Sequence, residues 1–323
     1  MALPATNADV DLLDRKLIFV TGKGGVGKTS ITAALGLLAS QHGKRTLMCE
    51  VDAKGNLADY FETERAGFKP RTFGAGLYAM VMDTEESLKE YLSLQLKVPL
   101  LARIGPLAKS FDFVATAAPG VKEILTVGKL LYEVRERHYD LVVVDAPATG
   151  HVVGQLAAPQ AINALVKAGM VREQTRWMVD MLADPRVTGA VIVSAPEEMP
   201  VNETIELADR MQTETDVQLA AVIVNKVLPE LFGRAEEEIF NRLCEDSHAA
   251  ELSAAVGVDV GPVLEAARLA VTLRRTRAEH LARLRAELPA GLPLLYLPFL
   301  FTRIHGLRAT HAVADALGAE LGY

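Results

Sequence analysis

The stretch Thr21 to Ser30, T-G-K-G-G-V-G-K-T-S, restricts what this chain can fold into more than any other. Residues 16–20 before it form a short apolar, β-prone run, and residues 31–40 after it are rich in alanine and leucine, so the glycines lie between a strand and a helix. Gly22, Gly24, Gly25 and Gly27 carry no Cβ, which lets the backbone adopt positive φ and turn its N–H groups inward, beside the positive end of the following helix. Such a loop wraps phosphate. Lys28 supplies a point charge for β- and γ-phosphates, and Thr29 a hydroxyl of the kind that Mg²⁺ takes as an oxygen ligand; Val26 and Ser30 complete the candidate nucleotide-binding loop. Gly22, Gly24 and Gly27 also satisfy the dinucleotide spacing G-x-G-x-x-G, with Asp52 at a separation suited to a ribose contact. Lys28 and Thr29 favour the triphosphate reading, because a pyrophosphate turn has no use for either.

The rest of the chain alternates strand and helix. Residues 45–52 read as a strand ending in Asp52, residues 77–83 as another, and Tyr139 to Asp145 as a continuous apolar run ending in an acid, the pattern of a buried parallel strand. Further strands are expected at 187–194, 218–225 and 294–299, with helices at 201–213, 234–245, 262–288 and 307–321. Helical tracts at about 85–138, broken by Pro99, Pro106 and Pro119, and at about 151–185 elaborate this frame. The expected class is α/β, a doubly wound, mostly parallel sheet with a helical subdomain, organised as one domain over residues 1–323. Ligands of such sheets bind at the carboxyl ends of the strands, where Asp52 and Asp145 fall. A carboxylate ending a buried strand is costly without a cation or donors, so Asp145 is a candidate for the Mg²⁺ shell; helix capping is its plainer reading. Asp52 is open in the same way, because a strand-end aspartate is also a common turn residue.

Composition narrows the function classes. Lys and Arg number 34 against 41 Asp and Glu, a net charge of −7, and no basic stripe exceeds Arg274-Arg275-Thr276-Arg277, so no nucleic-acid footprint is expected. No apolar run approaches the ~20 residues of a membrane span, and no leader pattern opens the chain, so a cytoplasmic location is expected. Cys49 and Cys244 are the only cysteines. They allow neither a disulfide framework nor a zinc site, and an arsenite site, which needs several close thiolates, is disfavoured.

Lys23 is unusual within a plain G-x-x-x-x-G-K-T loop and is similar to the lysine of the deviant Walker A loop of dimeric ATPases that include MinD, ParA, the nitrogenase iron protein and the arsenite-pump ATPases. Asp52 to Asp59, D-A-K-G-N-L-A-D, resembles the switch I segment of the arsenite-pump and tail-anchored-protein-targeting ATPase family, and Asp145 to His151, D-A-P-A-T-G-H, resembles its switch II. Pro119 to Glu123, Asn225-Lys226 and Leu297-Pro298-Phe299 are similar to further segments of that family, so the resemblance spans nearly the whole chain. It implies a P-loop ATPase using ATP and Mg²⁺. Asp52 would orient or deprotonate the attacking water, and Thr29, Asp52 and Asp145 would attend the metal. Lys28 and Lys23 would bind phosphate, Lys23 across a dimer interface, and Asn225 with Pro298 and Phe299 would hold adenine. A solvated surface lysine is the plainer alternative for Lys23. Two departures stand out: Ala53-Lys54-Gly55 replaces the family's Pro-Ala-His in switch I, and the interface Cys-x-x-Cys of the eukaryotic targeting factors is absent.

The resemblance therefore implies an ATP-hydrolysing dimeric switch, a homodimer or a heterodimer with a paralogous ATPase. Its partner would be a hydrophobic helix client or a membrane protein, reached from the cytoplasm or from the membrane periphery. A positioning ATPase of the MinD or ParA type is one alternative, although residues 307–323 lack a basic amphipathic tail. A nucleotide-binding scaffold that hydrolyses nothing is another. Apolar stripes at Leu88, Tyr91 and Leu92, at Leu100, Leu101, Ile104 and Leu107, at Val121, Ile124, Leu125 and Leu131, and at Val171, Trp177, Met178, Met181 and Leu182 are expected either to pack as core or to join into a client groove.

Overall fold

The computed structural model describes residues 11–51, 56–96, 120–165, 170–300 and 306–323. Among them lie eight strands: β1 (Leu17–Gly22), β2 (Thr46–Glu50), β3 (Arg71–Gly74), β4 (Leu77–Val81), β5 (Leu141–Asp145), β6 (Thr188–Ser194), β7 (Leu219–Val227) and β8 (Leu294–Pro298). They form one sheet in the order β3-β4-β2-β5-β1-β6-β7-β8, parallel throughout except for β3 against β4. The helices are α1 (Lys28–Gln41), α2 (Leu57–Tyr60), α3 (Thr84–Leu96), α4 (Val121–Arg135), α5 (Thr149–Leu165), α6 (Met170–Ala183), α7 (Glu198–Glu214), α8 (Arg234–Leu243), α9 (Asp246–Val256), α10 (Gly261–Glu287) and α11 (Leu307–Leu321).

The central strand explains why the sheet is covered on both sides. All six residues of β1 are buried, and its side chains alternate: Leu17 and Phe19 enter one core while Ile18 and Val20 enter the other. The Ile18 face is closed by α1 and α11 through residues such as Ala34, Leu38, Ala314 and Leu317. The Leu17 face is closed by α4, α5 and α7 through Val127, Leu130, Val152, Leu156 and Val201. Each such fully buried aliphatic or aromatic side chain contributes about 1.5–3 kcal/mol relative to exposure, so the paired faces carry most of the hydrophobic stabilisation.

Several expectations shift in detail. β2 ends at Glu50, before Asp52. The tract at 151–185 is two helices, α5 and α6, and the described parts of 85–138 are α3 and α4; Leu100, Leu101, Ile104 and Leu107 lie outside the described residues. Strand β3 and helix α9 have no counterpart in the expectations. β3 is an exposed edge strand, and α9 buries none of its residues, so neither carries an apolar period. The 27-residue helix α10 is anchored near its end, where Leu284 is buried and Arg283 Nη1 donates to Asn202 Oδ1 on α7 at 2.6 Å. No described helix is both long and apolar enough to cross a membrane.

Candidate active site

The carboxyl edge of the sheet gathers the loop residues. β1 ends at Gly22, whose φ of 139° and contact with the Val193 carbonyl oxygen of β6 leave no room for a Cβ. Gly27, at φ 103°, caps α1 in a left-handed conformation with no side chain bonded to the helix start, so the first-turn N–H groups beginning at Lys28 face outward for an anion. Val26 turns the other way and is buried in the α1-side core, which pins the middle of the loop. Asn225 and Lys226 grip the loop from β7: Asn225 Nδ2 donates to the Val26 carbonyl at 2.9 Å, and Lys226 Nζ to the Gly25 carbonyl at 2.9 Å. A Cβ on Gly27 would strike the Asn225 amide. The exposed Pro298 and Phe299 leave β8 on the adjacent strand, where Val227 pairs with Pro298 and accepts the Phe299 N–H at 2.8 Å. The cradle fits a phosphate chain; Asn225 bonds it directly, and Pro298 and Phe299 follow on the next strand, paired with Val227.

Beneath the loop, Thr29 Oγ1 donates to Asp145 Oδ2 at 2.6 Å, joining the loop hydroxyl to the acid that ends β5. This donor pair fits a divalent cation, because it offers oxygen ligands next to the phosphate cradle. Thr21 Oγ1 donates to the Pro147 carbonyl at 2.9 Å, so the end of β1 is also tied to the segment after Asp145. Lys23 Nζ pairs with Glu203 Oε1 of α7 at 2.7 Å, with both side chains about a third exposed. The lysine is thus held within its own chain. Ser30 Oγ and Tyr60 OH lie 2.9 Å apart, and a cavity of about 540 Å³ opens against Thr29 and Ser30, walled by Asn56, Asp59, Tyr60 and Thr310. Asp52 lies outside the described residues.

Glu50 is the acid that the sequence did not single out. The residue is 4% exposed at the end of β2, and its Oε1 accepts the Asn56 N–H at 2.7 Å. Burial raises its pKa most, the N–H donors of Asn56 and Leu57 pull it back, and the neighbouring Asp145 raises it further. Burial likewise pushes the Cys49 thiol well above its ordinary pKa, so that cysteine is an inert core residue.

The model of the anion-transporting ATPase family matches residues 15–178 and 166–250. The chain belongs to this family and is an ATPase. ATPase BagA of Mycobacterium tuberculosis is 29% identical to it over 298 residues, covering 88% of this chain and 86% of the relative. The ATPase ASNA1 homolog of Entamoeba dispar is 25% identical over 257 residues, 66% of this chain and 77% of the relative. ATPase GET3 of Phaeosphaeria nodorum is 30% identical over 171 residues, 50% of this chain and 52% of the relative. Family membership implies nucleotide binding.

Away from that edge the ATPase has an apolar cavity of about 430 Å³ between α3, α4 and α6. Leu88, Tyr91, Ile124, Leu125, Trp177 and Met178 line it, which brings three of the apolar stripes together. Met178 and Leu182 are core residues, whereas Trp177 is only partly buried. Val171 belongs to α6, but its side chain lies outside the described set. In the wall, Lys129 Nζ lies 2.6 Å from both Glu90 Oε2 and Glu133 Oε1, and Glu133 Oε2 meets His138 Nδ1 at 2.7 Å.

Proposed function

We propose that this ATPase is a dimeric nucleotide-driven switch that captures an apolar helix of a client protein in its helical layer. One continuous connection carries the reading. The segment 145–148, tied to the loop through Thr29 and Thr21, runs directly into α5, and α5 packs against both α4 and α6, two walls of the apolar cavity. A change at the phosphates therefore has a packed route to the cavity. The chain acts as one P-loop ATPase unit, with residues 85–138 and 151–185 as its client-handling elaborations. The packing of α11 onto α1 argues against the positioning-ATPase alternative, because its apolar side is already spent on core contacts.

Within this reading the loop amides and Lys28 hold the phosphate chain. Thr29 and Asp145 would hold Mg²⁺, which when bound neutralises phosphate charge. Asp52 orients the attacking water and accepts its proton. Lys23 leaves Glu203 to reach the phosphates bound by the other subunit, and Asn225, Pro298 and Phe299 flank the base.

The test uses Asp52→Asn, which should bind ATP and lose about 100-fold or more in turnover, because an amide keeps size while losing basicity. Photo-crosslinkers at Tyr91 and Trp177 of that variant should label an apolar helical peptide with ATP and not without nucleotide. Labelling that is absent, or indifferent to nucleotide, would leave the cavity as unfilled core and sink the client reading.

A further inference from the structure

Glu50 is a charged side chain where the fold alone would place an apolar one. The residues of β2 are all buried, Met48 packs on the α1 side of the sheet, and by strand alternation Glu50 points to that same side. Val143 of β5 packs there too, so Asp145 shares this face, and Glu50 and Asp145 are register partners on adjacent strands. The carboxylate costs free energy in this position unless its oxygens are used. They are used on one target: the start of α2, through the N–H groups of Asn56 and Leu57.

Helix α2 in turn reaches the phosphate loop. It is only four residues long, too short to hold its own position, and its end residue Tyr60 meets Ser30 of α1 through its hydroxyl and accepts from Thr310 Oγ1 of α11 at 2.9 Å through its carbonyl. Asn56, Asp59 and Tyr60 form one wall of the cavity against Thr29 and Ser30. A bond made at residue 50 therefore fixes the one end of that wall which Ser30 and Thr310 do not hold.

We propose that Glu50 is a positioning residue for ATP hydrolysis: its carboxylate clamps the start of α2 to the strand edge that carries Asp145, setting the cavity wall beside Thr29 and Ser30. It touches neither nucleotide nor metal. Its contribution is to the geometry in which turnover occurs, and not to phosphate affinity, which the loop provides. The acceptor oxygen does this work, so a glutamine, which keeps that oxygen, should replace it.

Two measurements on the full chain test this. In steady-state phosphate release, Glu50→Ala should lower kcat by about tenfold or more with ATP affinity within about twofold, since small misplacements of positioned groups cost turnover more than binding. Glu50→Gln should recover most of the loss. In amide hydrogen exchange without nucleotide, the Asn56 and Leu57 amides should exchange at least about tenfold faster in Glu50→Ala than in the parent and in Glu50→Gln. Parent-like kcat or parent-like protection in Glu50→Ala would overturn the clamp, as would a Glu50→Gln as impaired as the alanine. If the parent itself released no phosphate, the assignment of hydrolysis would fall, and the exchange measurement would still decide whether Glu50 is the clamp. A Glu50→Ala that does not fold leaves Glu50→Asp to decide: its carboxylate, one methylene short of the Asn56 N–H, should weaken protection and kcat together.

Discussion

The phosphate-loop edge and the helical layer solve opposite problems with the same chain. At the edge, side chains from β7 bond the backbone of the loop, glycines with φ of 139° and 103° fit where a Cβ would collide, and Thr29 and Thr21 fasten the loop to β5 and the segment beyond it. In the layer, α3, α4 and α6 leave about 430 Å³ open, and a buried Lys129 with its two glutamates spans α3 and α4 beside that space. The difference teaches that side-chain bonds and constrained glycines are concentrated where charge must be met in fixed geometry, whereas the layer leaves apolar volume unfilled.

Breaking the layer should produce the largest effect. Lys129→Met removes the cation from a pair whose side chains are 8% and 6% exposed and leaves Glu133 buried without it. Urea unfolding should show a loss of roughly 3 kcal/mol, while nucleotide affinity of the folded fraction stays unchanged. Breaking the edge should do the reverse. Lys28→Ala should weaken ATP by about 100-fold, ~2.7 kcal/mol, in a fluorescent-nucleotide titration and barely move the urea midpoint. A midpoint shift as large as that of Lys129→Met would erase the contrast.

Smaller effects sharpen it. The Lys23–Glu203 pair, about a third exposed, is worth at most about 1 kcal/mol, so Glu203→Gln should leave stability nearly untouched. Sedimentation with ATP should show self-association up to about fivefold tighter, because the in-chain competitor for Lys23 is gone, whereas Lys23→Ala should abolish it. Weaker association in Glu203→Gln would mean that the pair supports the interface and does not restrain it. Gly128→Ala should change least. Its Cβ would meet the terminal methyl of Met178 at 2.8 Å, a flexible group, and the roughly 1 kcal/mol of helix propensity gained offsets that displacement. Calorimetry should show a melting temperature near the parent's, with peptide labelling at Trp177 reduced.

What the sequence disclosed was local. Gly22 to Thr29 declares itself because glycine, lysine and threonine at fixed spacing answer one ligand, and Asp145 because it ends an unbroken apolar run. Glu50 was hidden because its burial comes from register against β5, nearly a hundred residues along the chain, and because the strand seemed to run on to Asp52. Glu203 was hidden for the same reason: its partner Lys23 is 180 residues away. The family resemblance singled out Asn225, but its bond to the Val26 carbonyl was not readable, since that depends on how β7 meets the loop. β3 and α9 escaped because they bury too little to leave a pattern.

The seat of α10 on α7 gives the long helix a mechanical meaning. The helix α10 is a rod of 27 residues, about 40 Å at 1.5 Å per residue: toward its end Leu284 enters the core and Arg283 bonds Asn202 on α7, and nearer its start Arg275 pairs with Glu237 of α8 and Arg268 donates to the Cys244 carbonyl. Asn202 is the immediate neighbour of Glu203, the residue that holds Lys23. A tilt of α7 by about 5° as that pair opens would displace the far end of the rod by about 3 Å and carry with it α8, which Arg275 ties to the rod, so the two helices would move as one lever arm.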